Sequence, residues 1–308
     1  MGKDKLRKFK ENETFGCLVQ PCTDDLIVRP VDGAGNPDTS PADTGDNAYG
    51  HGKVLYKDHP LKGHWGERMF GNSHPVVVEL GCGKGEYTVD LALRNPGCNY
   101  IGVDIKGARL WKGAKYAHEH GLSNVAFLRT RIEFIEALFG PGEVSEIWIT
   151  FADPQIGREK KRLTSPLFLS RYRNFLKKGG IVHLKTDSRY LHEYTRAIVE
   201  QNGLEMLACS TDIYGSLAKK VASGYFFDGG SAAVSQEELE GSDAWRQLMA
   251  SPLASVCGKD AVEALFQVQT FYESQYLAQG IPITYLAFRV DHDGDYVSPD
   301  WSAELWER

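Results

Sequence analysis

The chain has 308 residues, 42% hydrophobic and 25% charged, which is enough for the core of one large or two small domains and too apolar for a disordered chain. A net charge of −6 gives no overall attraction to polyanions, so any nucleic-acid affinity has to come from local basic patches. No apolar run approaches the roughly 18 residues of a membrane span and Met1-Gly2-Lys3-Asp4-Lys5 lacks a secretory core, so a cytoplasmic protein without membrane contact is expected.

Residues 1–75 carry little periodic apolar pattern and are expected to form an N-terminal arm and flexible loop region. The arm opens with Lys3, Lys5, Arg7, Lys8 and Lys10, which suit either a solubilising tail or an arm that folds onto nucleic acid. Pro30 to Gly52 is dense in Gly, Pro, Asp, Asn and Ser, the composition of a flexible loop. Cys17 and Cys22 have no second Cys or His pair at ligand spacing, so no metal is expected, and the six scattered cysteines fit reduced thiols.

From Val76 onward strands and helices alternate, the mark of an α/β fold with parallel strands. Strands are expected at Val76–Leu80, Tyr100–Asp104, Val125–Leu128, Glu146–Phe151 and Gly180–Lys185. Helices fit between them: Glu86 to Arg94, stopped by Asn95-Pro96, and Ala108 to His120, ended by Gly121. A third is capped by Ser165-Pro166 and followed by Gly179-Gly180, and a fourth spans Ser188 to Asn202. The pattern weakens from about 214 to 260, which reads as an insertion in a domain covering 76–308. Ala261 to Gln279 is helix-like in part, and Ile283 to Val290 is a late strand able to close the sheet edge.

The run Val76-Val77-Val78-Glu79-Leu80-Gly81-Cys82-Gly83-Lys84-Gly85 is a strand breaking into a glycine turn before a helix, with Asp104 at the end of the next strand. Such a turn lets a backbone approach a ligand, and the carboxylate suits two ribose hydroxyls. Nicotinamide dinucleotides and S-adenosylmethionine both present that ribose. Glu79 would repel a pyrophosphate but suits an ammonium and a sulfonium. The plainer alternative is that the glycines only turn the chain and Glu79 is a solvated strand end.

Phe151-Ala152-Asp153-Pro154 ends the fourth strand on the same edge, so Asp153 is the candidate at the reaction centre. Arg158, Lys160, Lys161 and Arg162 follow it and suit phosphate oxygens, although a basic run can equally be a solvated loop. Asp187, after the fifth strand, faces the same cleft or caps the next helix.

Together these residues resemble the bacterial tRNA (guanine-N7-)-methyltransferases. The likeness rests on Val78 to Glu86, Tyr100 to Asp104, Phe151 to Pro154, Lys160 to Leu163, His183 to Asp187 and Thr270 to Glu273. It implies a Rossmann-like class I methyltransferase fold, a mostly parallel seven-stranded sheet with helices on both faces, S-adenosyl-L-methionine as cofactor and guanine 46 of the tRNA variable loop as target. By position it implies cofactor binding by Glu79, Gly81, Gly83, Asp104, Arg131 and Asp153, with Asp153 also catalytic. Asp187, Thr270, Tyr272 and Glu273 match guanine-binding positions, and Arg158, Lys160, Lys161 and Arg162 fall in the RNA-contacting loop. A monomer is the working expectation.

Three departures stand out. Ala152 and Gln155 replace the family's Pro and Trp around Asp153, Gly157 falls near the place of a substrate lysine, and Arg131 stands where a third cofactor acid is usual, its backbone lining the adenine pocket. The competing readings are a catalytically idle RNA-binding module, a small-molecule methyltransferase and a nicotinamide dehydrogenase.

Overall fold

Apolar runs buried on both faces build the centre of the molecule, a computed structural model that describes residues 3–28, 55–221 and 234–299. The strands are β1 (Leu18–Val19), β2 (Ile27–Val28), β3 (Leu55–Tyr56), β4 (Val76–Leu80), β5 (Asn99–Asp104), β6 (Val125–Arg129), β7 (Val144–Thr150), β8 (Leu176–Thr186), β9 (Met206–Ser210) and β10 (Thr284–Arg289). β2 and β3 form a separate two-stranded ribbon. The other eight form one sheet in the order β1-β6-β5-β4-β7-β8-β10-β9, parallel except for β10, which runs antiparallel to both neighbours. The order reverses between β4 and β7, and a crevice at the carboxyl ends of strands on either side of such a switch is where ligands enter doubly wound sheets.

Helices cover both faces. Val77, Tyr100, Phe127, Trp148 and Tyr285 pack towards α3 (Glu86–Arg94) and α4 (Gly107–Glu119), while Val76, Val78, Ile101, Ile147 and Val182 pack towards α5 (Pro166–Phe175) and α6 (Arg189–Gln201). Gly85 shows why the glycine turn also serves packing: it has φ +79°, and a Cβ there would lie 2.5 Å from the Phe127 ring. Its absence lets α3 and α4 settle close to the sheet.

Residues 3–28 are not a free arm. The helix α1 (Lys3–Asn12) lies against α4, and β1 extends the sheet by pairing Leu18 with Phe127 and Val19 with Leu128, giving eight strands where seven are expected. Neither element has a local signal: a mostly charged ten-residue helix and a two-residue strand draw their order from what they pack on. The expected flexible loop from Pro30 to Gly52 lies outside the described residues.

The stretch expected as an insertion is a set of short helices, two of them capped by Ser235 and Ser242. The helices are α7 (Ala218–Val221), α8 (Gln236–Glu240), α9 (Asp243–Met249), α10 (Pro252–Cys257) and α11 (Lys259–Gln267), followed by α12 (Phe271–Ala278). Trp245, Leu248, Leu253, Leu265 and Phe266 are buried in the α3/α4-side core, so the segment packs on β9 rather than standing apart. The expected helix from Ala261 to Gln279 is two helices broken at residues 268–270. The third expected helix stops at Phe175, because Leu176 already enters β8.

Candidate active site

Glu79 is the last but one residue of β4 and shares the face of Val77. It is 3% exposed. Its Oε2 accepts from the Thr88 backbone N–H (3.0 Å) and hydroxyl (2.5 Å), and its Oε1 from the Thr150 hydroxyl (2.5 Å). Burial pushes its pKa from 4.5 to about 7, opposed by the Thr150 and Thr88 hydrogen bonds and reinforced by nearby Glu86. Glu79 is thus not a solvated strand end.

The glycine turn is drawn back over β5: the Gly81 and Cys82 amides donate to the Val103 carbonyl at 2.8 and 3.0 Å. Asp104 is held between two amides, its Oδ2 accepting from Gly83 (3.0 Å) and its Oδ1 from Lys106 (2.7 Å). Each oxygen keeps a lone-pair direction for a further donor. A Cβ at Gly81 or Gly83 would meet nothing within 4 Å, and Ile105 is 53% exposed immediately beyond Asp104. An open backbone cradle, a fixed carboxylate, an apolar side chain and a buried acid form a donor set that fits an aminoacyl-adenosine cofactor. Arg131, two residues past β6, caps the 3-10 turn Ile132–Ala137. Its guanidinium is 3.3 Å from Glu133 and lies over the Phe134 ring.

Beyond β7 the chain enters a strained loop. Phe151 and Gln155 have φ +50° and +49°, left-handed values that cost on the order of 1–3 kcal/mol each in non-glycine residues and persist only where surroundings enforce them. The enforcing contacts are visible. The Phe151 amide donates to the Lys185 carbonyl (2.9 Å), and Arg162 donates to the carbonyls of Pro154 (2.8 Å) and Gln155 (3.2 Å). Between them stands exposed Asp153, whose Oδ1 accepts the Gln155 amide at 2.9 Å.

Arg162 therefore departs from the expected RNA-contacting role. It is 2% exposed, bonded to the Tyr190 hydroxyl (2.7 Å) and stacked over Tyr194 at 3.9 Å, so it clamps the loop from inside. Arg158, Lys160 and Lys161 are exposed around the 3-10 turn Glu159–Lys161.

Asp187 follows β8 and lies near the Tyr276 hydroxyl. Burial raises its pKa, with its own backbone amide and Tyr276 pulling the other way. It does not cap the next helix; Ser188 does, accepting from Leu191. Tyr276 also stacks on Phe151, tying the two strand ends together through α12.

The segment Thr270 to Glu273 divides. Thr270 is the N-cap of α12 and Glu273 its reciprocal partner, the two sharing a capping box. Glu273 is 0% exposed, 2.7 Å from the equally buried Lys185 and hydrogen-bonded by Tyr214 at 2.5 Å. Lys185 also donates to the carbonyls of Leu265 and Val268. The expected guanine contact by Glu273 is corrected accordingly: its carboxylate serves the interior. Tyr272 is 49% exposed beside Phe271, at a ring separation of 5.8 Å, and Lys84 of the glycine turn sits 4.6 Å over Phe271. So α12 borders the turn.

The arrangement brings Glu79, Gly81, Gly83, Asp104, Arg131, Asp153, Asp187 and Tyr272 to one edge of the sheet. It leaves Arg162, Thr270 and Glu273 behind that edge. Thr88, Thr150 and Tyr276 were not legible beforehand. Tyr276 alone has a signal, standing one helical turn after Tyr272 on the same face of α12. Among the described residues no group of three or more His, Cys, Asp or Glu side chains is arranged to hold a metal, and no helix is long and apolar enough to cross a membrane.

Residues 73–221 match the sequence profile of the family described as "Putative methyltransferase". The chain is 44% identical over 290 residues to the tRNA (guanine-N(7)-)-methyltransferase of Christiangramia forsetii, covering 94% of this chain and 98% of that protein. It is 42% identical to the protein of that name from Bacteroides thetaiotaomicron, over 80% of each chain, and 37% identical to that from Cytophaga hutchinsonii, over 94% of this chain and 98% of the other.

Proposed function

The chain belongs to the tRNA (guanine-N(7)-)-methyltransferases, and from that premise we propose that it methylates N7 of guanine 46 in the tRNA variable loop, with S-adenosyl-L-methionine as donor, in the cytoplasm. The observation that carries the reading is the succession of acids along one sheet edge: Asp104, Glu79, Asp153 and Asp187 stand at the carboxyl ends of the neighbouring strands β5, β4, β7 and β8. That is more charge than folding requires at one edge, and it suits a cationic cofactor facing a purine.

The cofactor supplies a methyl group on a sulfonium. Asp104, already oriented by two amides, accepts the ribose hydroxyls, Glu79 offsets positive charge from below the turn, and Gly81 and Gly83 let the ligand approach the backbone. The backbone at Arg131 lines the adenine side.

Guanine N7 carries an in-plane lone pair that is unprotonated at pH 7, so no general base is needed to create the nucleophile. Positioning dominates. Asp153 accepts from the Watson–Crick edge and stabilises the positive charge that develops on the ring, with Asp187 second in that role. Asp153 is preorganised by the loop that Phe151, Gln155 and Arg162 hold. Tyr272 offers a face to the base, while Thr270 and Glu273 act by fixing α12. Arg158, Lys160 and Lys161 meet phosphates.

The test is nucleoside mass mapping of unmodified tRNA after incubation with protein and S-adenosylmethionine. The expected product is 7-methylguanosine at position 46. Cofactor left unconsumed with tRNA bound would overturn the reading in favour of an idle RNA-binding module.

A further inference from the structure

Residues 3–12 and 106–115 hold nine lysines and arginines against two acids, in a chain whose net charge is −6. Distant in sequence, they are joined in space because α1 lies on the start of α4. The Asn12 amide donates to the Gly107 carbonyl (2.8 Å), the Trp111 indole donates to Glu11 (2.6 Å), and Arg7 and Lys8 lie over the Trp111 ring at 5.0 and 4.9 Å. Arg7 and Lys8 are paired with Asp4 and Glu11. Lys5, Lys10, Lys106 and Arg109 are exposed and make no ion pair among the described residues.

This surface borders the candidate site. Arg129, at the end of β6, lies 5.1 Å over the Phe9 ring of α1 and donates to the carbonyl of Ile105, one residue beyond Asp104. The basic helix therefore forms the rim of the cleft on the β5/β6 side, opposite Arg158, Lys160 and Lys161 beyond β7. A polyanion spanning both rims would present a base between them, over Asp153 and Asp187. Because α1 is already docked, contact needs little further ordering of the chain.

Resting on the tRNA reading above, we infer that the α1/α4 surface is a second sugar-phosphate contact, so that the tRNA backbone bridges the cleft from α1 to the 158–161 loop. Lys5 and Lys10 are its outer cations. They bind phosphate as point charges and read no sequence.

The test compares the parent protein with Lys5→Gln/Lys10→Gln and with the charge-keeping Lys5→Arg/Lys10→Arg, by titrating unmodified tRNA at several salt concentrations. The neutral pair should weaken tRNA binding and flatten the plot of log affinity against log salt by about 0.9 per lost contact, the Arg pair should match the parent, and cofactor affinity should be the same in all three. In the parent protein, bound tRNA should shield Lys5 and Lys10 from an amine-reactive reagent. This readout needs no variant to fold. Parent-like slope in the neutral pair, or labelling of both lysines unaffected by tRNA, would overturn the inference while parent methylation continued. A parent that neither binds nor methylates tRNA would overturn the functional reading itself.

Discussion

Glu79→Gln should remove a pH dependence that the fold builds into the cofactor site. The parent carboxyl is 3% exposed, with a pKa pushed from 4.5 to about 7 chiefly by burial. A folded pKa above the unfolded one means that protonation favours the folded state. The associated stability is complete below pH 4.5 and lost as pH rises through about 7. The interval corresponds to about 3 kcal/mol at full ionisation. Glutamine keeps the shape and still meets the Thr88 and Thr150 hydroxyls, but it cannot ionise. Thermal unfolding of the cofactor-free parent should therefore fall, relative to the variant, between about pH 5 and pH 8.

Cofactor binding should show the opposite trend. A cation beside Glu79 favours its ionised form, and a group of pKa near 7 goes from about one tenth to about nine tenths ionised between pH 6 and pH 8. Parent affinity for S-adenosylmethionine should rise about tenfold over that range relative to Glu79→Gln, the ratio cancelling titration of the ligand itself. Calorimetric titration in two buffers of different ionisation enthalpy would show more proton release in the parent than in Glu79→Gln. Parallel pH profiles for parent and variant would refute the reasoning.

Lys185→Met or Glu273→Leu alone should cost about 3–5 kcal/mol by denaturant unfolding, because each leaves a buried charge without its partner; the double variant should recover most of that loss. Additive losses would mean that the pair is not the unit. Asp153→Asn should lower turnover by about 10²–10³ while cofactor still binds, which single-turnover methylation would measure; an unchanged rate would remove Asp153 from the reaction centre. Arg162→Met should lower turnover by loosening the Asp153 loop but leave the salt dependence of tRNA binding unaltered. Lys160→Gln/Lys161→Gln should flatten that dependence by about 0.9 per lost contact. If the two variants behaved alike, Arg162 would be a phosphate ligand after all.

Local sequence was sufficient wherever the determinant is local. A strand buried on both faces is a continuous apolar run, so Val76–Leu80 was legible to the residue, and a turn through three positive-φ positions requires the glycines that follow it. Asp104, Asp153 and Asp187 were legible because a carboxylate at the end of a parallel strand is brought to one edge by topology alone. The cap Ser165 is read from the same short-range chemistry, whereas Ser188 reads as the start of its helix and Asp187 as its candidate cap.

Only the folded chain distinguishes charges that face the cleft from charges that face the core. Arg162 belongs by composition with Lys160 and Lys161, yet Tyr190 and Tyr194, a helix away, bury it. Glu273, on α12, is assigned to the interior by Lys185, which lies far away in sequence on β8. The basic arm is likewise a docked helix because Gly107 and Trp111 receive it. A charged side chain carries no local mark of its burial: the desolvation cost is met by partners remote in sequence, and those meet only when the sheet has assembled.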